Sequence, residues 1–177
     1  MRYKLSLAFA AALAILPLGS ADAQVAEGGY FLPLALALKA STTAIAACAK
    51  NGYPVSAVVV DTSGVVKLEA KGDHSTSHTT TSAYRKAYTV VTLGPIFRFD
   101  ASSAFAALAA KNPNGAALAS LPNIAPLPGG VAIKVRDEII AALGIAGSPG
   151  GDKDEACAQV GISSIKDDLA NMAASPR

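Results

Sequence analysis

The chain has 177 residues, of which 51% are hydrophobic and 16% are charged, and its formal net charge is +2. This composition excludes an intrinsically disordered chain, because disorder requires low hydrophobicity and high net charge. The near-neutral charge also gives no reason to expect a nucleic-acid partner, since phosphate binding depends on a basic surface.

The first 23 residues have the architecture of a secretory signal peptide. Arg2 and Lys4 precede an uncharged apolar stretch, and the small-residue site Ala21-Asp22-Ala23 follows it. A membrane anchor is the alternative, but the apolar stretch is at the short end of what crosses a bilayer. We therefore expect cleavage after Ala23 and a periplasmic or secreted protein without membrane insertion. The expected organisation is a signal peptide at 1–23, a linker at 24–33 and one domain at 34–173.

Cys48 and Cys157 are the only cysteines. In an exported protein two cysteines can form a disulfide, and closing a loop of this length would stabilise the fold by at most about 4–5 kcal/mol. Two buried free thiols are the equally open alternative. If the first and last helices pack antiparallel, the ends that carry these cysteines meet within bridging distance.

The first part of the domain predicts a helix followed by a β-hairpin. Residues 34–50 are alanine-rich with apolar residues at helical spacing, and Asn51-Gly52 supplies a C-terminal stop. A β-branched run at 55–60 and an alternating run at 65–71, separated by turn residues, predict two strands.

The middle of the chain predicts two helices. The polar segment 72–81 begins as a loop and turns helical from about Thr79, and Gly94-Pro95 is expected to end that helix. Asp100 is expected to cap a helix over 101–111. Prolines and glycines in 112–130 predict an irregular crossing with a single helical turn.

The last part predicts a second hairpin and a final helix. Residues 131–135 and 138–146 read as strands joined by a tight turn, and Asp152 with Glu155 resembles a capping box for a helix to about Met172. The complete order is helix, hairpin, two helices, hairpin, helix. This order indicates a single α+β domain in which helices flank an antiparallel sheet.

Several segments resemble the GlcG/HbpS family, and together they span about residues 34–170. The segments are 59–61 with Gly64, Gly72-Asp73, His78, 85–88 ahead of Gly94, 127–133 and 143–158. The resemblance implies a profilin-like antiparallel sheet flanked by helices, a symmetric homo-oligomer, and haem binding, which occurs outside the cytoplasm in some members. The chain departs from the family at Ala141-Ala142, where the family often has glycine.

The candidate haem site lies within residues 72–88. A haem site needs an iron ligand, an apolar slot and groups that bind the propionates. His74 and His78 are the only histidines, and His78 is the preferred iron ligand because it alone matches the family motif. The other candidates are Tyr84 and Tyr88, which are alternatively core or interface aromatics, and Arg85 and Lys86, which are alternatively a solvated helix face.

Other functions are less well supported by the residues. A histidine in a polar loop is ordinarily solvated. The two histidines could instead bind zinc, but a zinc site needs three or four protein ligands, and Asp73 is the one obvious further candidate. We predict no catalytic residues, because the sequence has neither a nucleophile elbow nor a phosphate loop. The expected function is a non-enzymatic, exported haem- or tetrapyrrole-binding protein in uptake, storage or sensing. The alternatives are an enzyme or accessory factor acting on a small organic acid or aldehyde, and a structural oligomer without ligand.

Overall fold

Residues 29–174, which a computed structural model describes, form six helices and four strands. The predicted signal peptide at 1–23 lies outside these described residues. In chain order the elements are α1 (Leu34–Ala49), β1 (Ser56–Asp61), β2 (Val66–Lys71), α2 (Thr79–Phe97), α3 (Ser102–Lys111), α4 (Gly115–Ala119), β3 (Gly130–Val135), β4 (Glu138–Ala146), α5 (Gly151–Ser163) and α6 (Lys166–Ala174). None of the helices in the described range has both the length and the apolar character that crossing a bilayer requires.

The four strands form one antiparallel sheet in the order β2-β1-β4-β3. Each predicted hairpin forms between neighbours in sequence, and the two hairpins join through β1 and β4, where Val59 lies opposite Leu143. These two central strands are almost wholly buried, whereas the edge strand β2 is mostly exposed or half-buried. The α+β fold predicted from the sequence is therefore confirmed.

Helices cover both faces of the sheet. Helices α1, α5 and α6 pack on the face that presents Val59, Leu143 and Ile145. Helices α2 and α3 pack on the other face, around Val58 and Phe105. Each face of the sheet thus has its own apolar core. Helices α2 and α5 therefore lie on opposite sides of the same sheet.

Helix α2 lies unusually close to the sheet at two glycines. A Cβ atom on Gly144 of β4 would lie 2.0 Å from the carbonyl oxygen of Ala83, and one on Gly130 of β3 would lie 2.4 Å from that of Lys86. Because no side chain fits in these gaps, only glycine allows the helix backbone to approach the strands this closely.

Helix α2 does not end at Gly94-Pro95, so that prediction was wrong. The helix continues to Phe97, and it stops where Arg98 adopts a left-handed conformation with φ of 57°. Phe99 N then donates a hydrogen bond to the Gly94 carbonyl at 3.2 Å. Pro95 is tolerated because it lies in the last turn, where it removes a single helical hydrogen bond and little helix remains to be disrupted.

Two predicted caps were also wrong. Asp100 does not cap α3, because it forms an ion pair with Lys134 at 3.0 Å and Ala101 occupies the cap position. The predicted final helix is interrupted before Lys166, where the fully buried Ile165 turns into the core, and it divides into α5 and α6. Asp152 lies inside the first turn of α5, and the cap position is Gly150.

Cys48 and Cys157 form a disulfide with a Cα separation of 5.6 Å. The bond connects the C-terminal end of α1 to α5, and both cysteines are buried in the core between these helices and the sheet. The predicted pairing is confirmed, and the alternative of two free thiols is wrong.

Candidate functional site

Buried hydroxyl groups anchor the polar loop that leads into α2. Ser56 Oγ on β1 lies 2.7 Å from Thr79 Oγ1 and 3.1 Å from Ser75 Oγ. Ser75 Oγ in turn donates a hydrogen bond to the Gly72 carbonyl at 2.7 Å. The serine- and threonine-rich loop is therefore fixed to the sheet, which gives His78 a defined position at the start of α2. The sequence showed this cluster of hydroxyls but not its anchoring role.

His78 occupies the cap position of α2, and its side chain is exposed. Its Nδ1 atom lies 3.1 Å from Thr76 Oγ1. A hydrogen bond to one ring nitrogen orients an imidazole and leaves the other nitrogen for a ligand. The atom available to a ligand is therefore Nε2.

His78 borders a cleft of about 240 Å³, which we call the His78 cleft. The cleft lies between the start of α2, the end of β4 and the segment that leads into β3. Its lining includes Ser82 and Lys86 of α2, Leu127 and Pro128, Ser148, and Asp154 of α5.

A buried ion pair forms the floor of the His78 cleft. Lys86 Nζ lies 2.7 Å from Asp154 Oδ2 and also donates a hydrogen bond to the Ile145 carbonyl at 3.0 Å. The two side chains are only 5% and 4% exposed. Ser148 N donates a hydrogen bond to Asp154 Oδ1 at 2.9 Å. Lys86 therefore does not belong to a solvated helix face. The carboxylate of Asp154 balances its buried charge.

The segment before β3 is held against the ion pair by two polar residues that sequence reasoning missed. Ser102 Oγ donates a hydrogen bond to the Leu127 carbonyl at 2.7 Å and accepts one from Gly130 N at 2.8 Å. Glu155 Oε2 accepts a hydrogen bond from Gly129 N at 3.2 Å. A Cβ atom on Gly129 would lie 2.8 Å from Lys86 Nζ, which explains why a glycine stands there. The adjacent Gly129 and Gly130 were the only sequence feature that pointed to this close packing of the segment against Lys86.

Four of the six predicted site residues lie outside the His78 cleft, three of them on α2 and His74 in the preceding loop. Arg85 is exposed, and its guanidinium donates a hydrogen bond to the Ile124 carbonyl at 2.5 Å. The rings of Tyr84 and Tyr88 lie 5.5 Å apart, half-buried against the core under α2. Partial burial raises the pKa of Tyr84, and the neighbouring Tyr88 raises this pKa further.

His74 borders a different cavity, of about 380 Å³, between the end of α1 and the start of the 72–78 loop. Its backbone has φ of 63°, and its cavity is lined mainly by apolar residues such as Ile45, Tyr53 and Val55. The two histidines therefore face separate cavities. Within residues 29–174, no three His, Cys, Asp or Glu side chains are grouped closely enough to hold a metal ion.

The comparisons with known proteins agree on one family. Residues 32–163 match the family model described as "Haem degrading protein HbpS-like". A crystal structure of HbpS is 32% identical, with 78% of this chain and 92% of that chain covered and a TM-score of 0.70. A double mutant of HbpS from Streptomyces reticuli is 31% identical, with 85% and 97% covered and a TM-score of 0.69.

A more distant structure shares the fold. A complex of PduOC with haem is 20% identical, with 77% of this chain and 96% of that chain covered and a TM-score of 0.68. No curated protein matches the chain. The family match covers most of the chain and agrees with the two HbpS structures, so this protein belongs to the HbpS-like family, as its sequence motifs indicated.

Proposed function

We propose that this protein binds haem without catalysing a reaction on it, and that His78 supplies the iron ligand. The description of its family refers to haem, and the PduOC complex carries haem on the same fold. The observation in this chain that supports the proposal most directly is the exposed imidazole of His78 beside the apolar Leu127 and Pro128.

The donor set suits haem better than a free metal ion. The porphyrin itself supplies four nitrogen ligands, so the protein needs to add only one or two axial ligands. A structural zinc site needs four protein ligands and a catalytic one needs three, and the described residues contain no such group. A single oriented histidine such as His78 is therefore sufficient for haem but not for a zinc ion.

The size of the His78 cleft indicates how haem would lie. Its volume of about 240 Å³ is below the range of roughly 300–1,000 Å³ typical of sites that enclose a ligand. We infer that the porphyrin lies across the mouth of the cleft, where Leu127 is 53% exposed and offers an apolar contact. A second copy of the chain would then cover the outer face of the porphyrin, in keeping with the predicted homo-oligomer.

A hemin titration with histidine variants tests the ligand assignment. We expect hemin to give a Soret band with a 1:1 endpoint, and His78→Ala to shift that band and weaken binding. His74→Ala is the matched control and should leave the band unchanged, because His74 faces another cavity. A spectrum and an affinity that are unchanged in the His74/His78 double variant would contradict the assignment of either histidine.

The same sample tests whether the protein is non-enzymatic. The family description includes haem degradation, so the hemin complex should be kept with ascorbate and oxygen. We expect the Soret band to persist as long as it does for hemin bound to an unrelated carrier such as albumin. Faster loss of the band would show that the protein degrades haem.

The propionate assignment is best tested at Arg85, because Arg85 is an exposed residue whereas Lys86 is buried and two donors of its ammonium are already bonded. If Arg85 binds a propionate, Arg85→Gln should weaken the binding of haem more than that of its dimethyl ester. An equal effect on both would exclude this role.

The second part of the proposal is export. An exported protein would bind haem outside the cytoplasm, in haem uptake, storage or sensing. The mature protein should begin at Gln24 and appear in the cell-envelope or secreted fraction. Intact-mass measurement checks this, and a cytoplasmic protein that retains Met1 would contradict it.

The size and polarity of the His78 cleft favour a second candidate function, in which the cleft holds a small organic acid or aldehyde. Lys86, Ser82 and Ser148 line it and could donate hydrogen bonds to a carboxylate or carbonyl oxygen. Calorimetric titration with lactate and propionaldehyde distinguishes the two functions. Tight binding of either, together with no binding of hemin, would favour this second function.

A further inference from the structure

A third concave site lies away from both histidines, between the β3–β4 turn and helix α6. Its volume is about 320 Å³. The floor of this groove is apolar and includes Ile162, Leu169 and Ala173, and its rim carries Lys134, Arg136 and Lys166. No acidic side chain is among the described residues that line it. We call it the cationic groove.

At least two of the three cations are available to a ligand. Lys134 forms an ion pair with Asp100, but Lys166 forms none within residues 29–174. Arg136 donates a hydrogen bond to the Ala173 carbonyl at the end of α6, and a guanidinium has five N–H donors in all. Arg136 therefore keeps donors for an anion while α6 holds its side chain beside the groove.

The backbone conformation of Arg136 follows from its place in the tight β3–β4 turn. Arg136 has φ of 55° in the tight turn between β3 and β4, a conformation that glycine adopts without strain and that other residues rarely adopt. Here the strained position directs a cationic side chain to the rim of an apolar groove.

We propose that the cationic groove binds the anion of a medium-chain carboxylic acid, independently of haem. The alkyl chain would lie on the apolar floor, and the carboxylate would accept hydrogen bonds from Arg136 and Lys166, since guanidinium and carboxylate pair in bidentate geometry. The volume of about 320 Å³ is at the lower end of ligand sites, which suits a small amphipathic molecule.

Calorimetric titration with octanoate, kept below its micelle concentration, tests the proposal, with 1-octanol as the uncharged comparison. Octanoate should bind to a saturable site, and octanol should bind at least tenfold more weakly. Lys166→Gln should weaken octanoate binding about tenfold, as expected for a charge-assisted hydrogen bond. Lys111→Gln on α3, which removes an exposed cation far from the groove, should leave the affinity unchanged.

Arg136→Gly separates binding from a structural role. Glycine removes the cation and relieves the strain at the positive φ, so octanoate binding should weaken about tenfold while the melting temperature stays the same or rises. A lower melting temperature with unchanged octanoate affinity would mean that Arg136 only caps α6, and would overturn the proposal. Equal affinity for octanol and octanoate, or association only with micelles, would also overturn it.

Discussion

Lys86 and Asp154 form an ion pair across the end of the sheet, although they are 68 residues apart in sequence and their helices pack on opposite faces. The ammonium of Lys86 on α2 lies 2.7 Å from the carboxylate of Asp154 on α5. The pair therefore connects the two apolar cores and forms the floor of the His78 cleft, so that the integrity of the cleft depends on both helices.

Removing one member of this pair should strongly destabilise the fold. Asp154→Ala leaves the Lys86 charge buried without its counter-ion, and we expect the free energy of unfolding to fall by about 3–5 kcal/mol. Urea denaturation measures this. Asp152→Ala is the matched control, because Asp152 is exposed in the same helical turn, and it should change the free energy by only about 0.5 kcal/mol. Equal effects of the two substitutions would contradict the role assigned to the pair.

The disulfide should make stability depend on redox conditions. Cys48 and Cys157 are separated by 109 residues, and the loss of a cross-link closing such a loop lowers the free energy of unfolding by up to about 4–5 kcal/mol. We expect a reductant to lower the melting temperature of the native protein. A variant with both cysteines changed to alanine is the control, and a reductant should not affect it.

Because α2 lies so close to the sheet, the fold should not tolerate even one added methyl group at Gly144. Gly144→Ala would place a Cβ atom 2.0 Å from the Ala83 carbonyl oxygen, so the helix would have to move. We expect a loss of about 3 kcal/mol or more in the free energy of unfolding, at the upper end for overpacking. Gly52→Ala is the comparison, because Gly52, unlike Gly144, has a positive φ but an added Cβ there would meet no atom within 4 Å, so this variant measures the cost of backbone strain without steric overlap. A loss at Gly144 no larger than that at Gly52 would contradict the role assigned to lack of space.

The raised pKa of Tyr84 predicts a loss of stability at alkaline pH. Burial, and then the neighbouring Tyr88, raises the pKa of Tyr84 above its unfolded value of about 10, so the folded state retains the proton more strongly than the unfolded state. This contribution is fully present below pH of about 10 and is lost as the pH rises through the folded pKa. Tyr84→Phe should flatten the decline in unfolding free energy above that pH. A decline of the same slope in both proteins would contradict the assignment.

An exposed apolar surface at the start of α1 predicts self-association. Phe31, Leu34 and Leu38 are 56%, 59% and 50% exposed and are spaced at three and four residues. Exposed apolar patches of this kind commonly mark contacts between proteins. We expect light scattering to give at least a dimer, and Leu34→Glu with Leu38→Glu to shift the protein towards the monomer. A monomer at micromolar concentration before any substitution would refute the prediction.

The sequence by itself determined the type and order of most elements. The hairpin strands were predictable from β-branched runs and from alternation of apolar and polar residues. Turn residues likewise indicated the stop after α1 and the loop before α2. All of these are local signals. The family motifs also indicated the fold. The cysteine pair could be proposed because the predicted helices brought the two residues to neighbouring helix ends.

The tertiary structure alone decided how the candidate residues are grouped. His74 and His78 are four residues apart, but His74 precedes α2 in a left-handed conformation, so the two imidazoles border separate cavities. Lys86 follows Arg85 directly, yet one is buried against Asp154 and the other is exposed. Such differences arise from contacts between residues far apart in the chain, and local sequence patterns carry no information on which distant residue will be the partner.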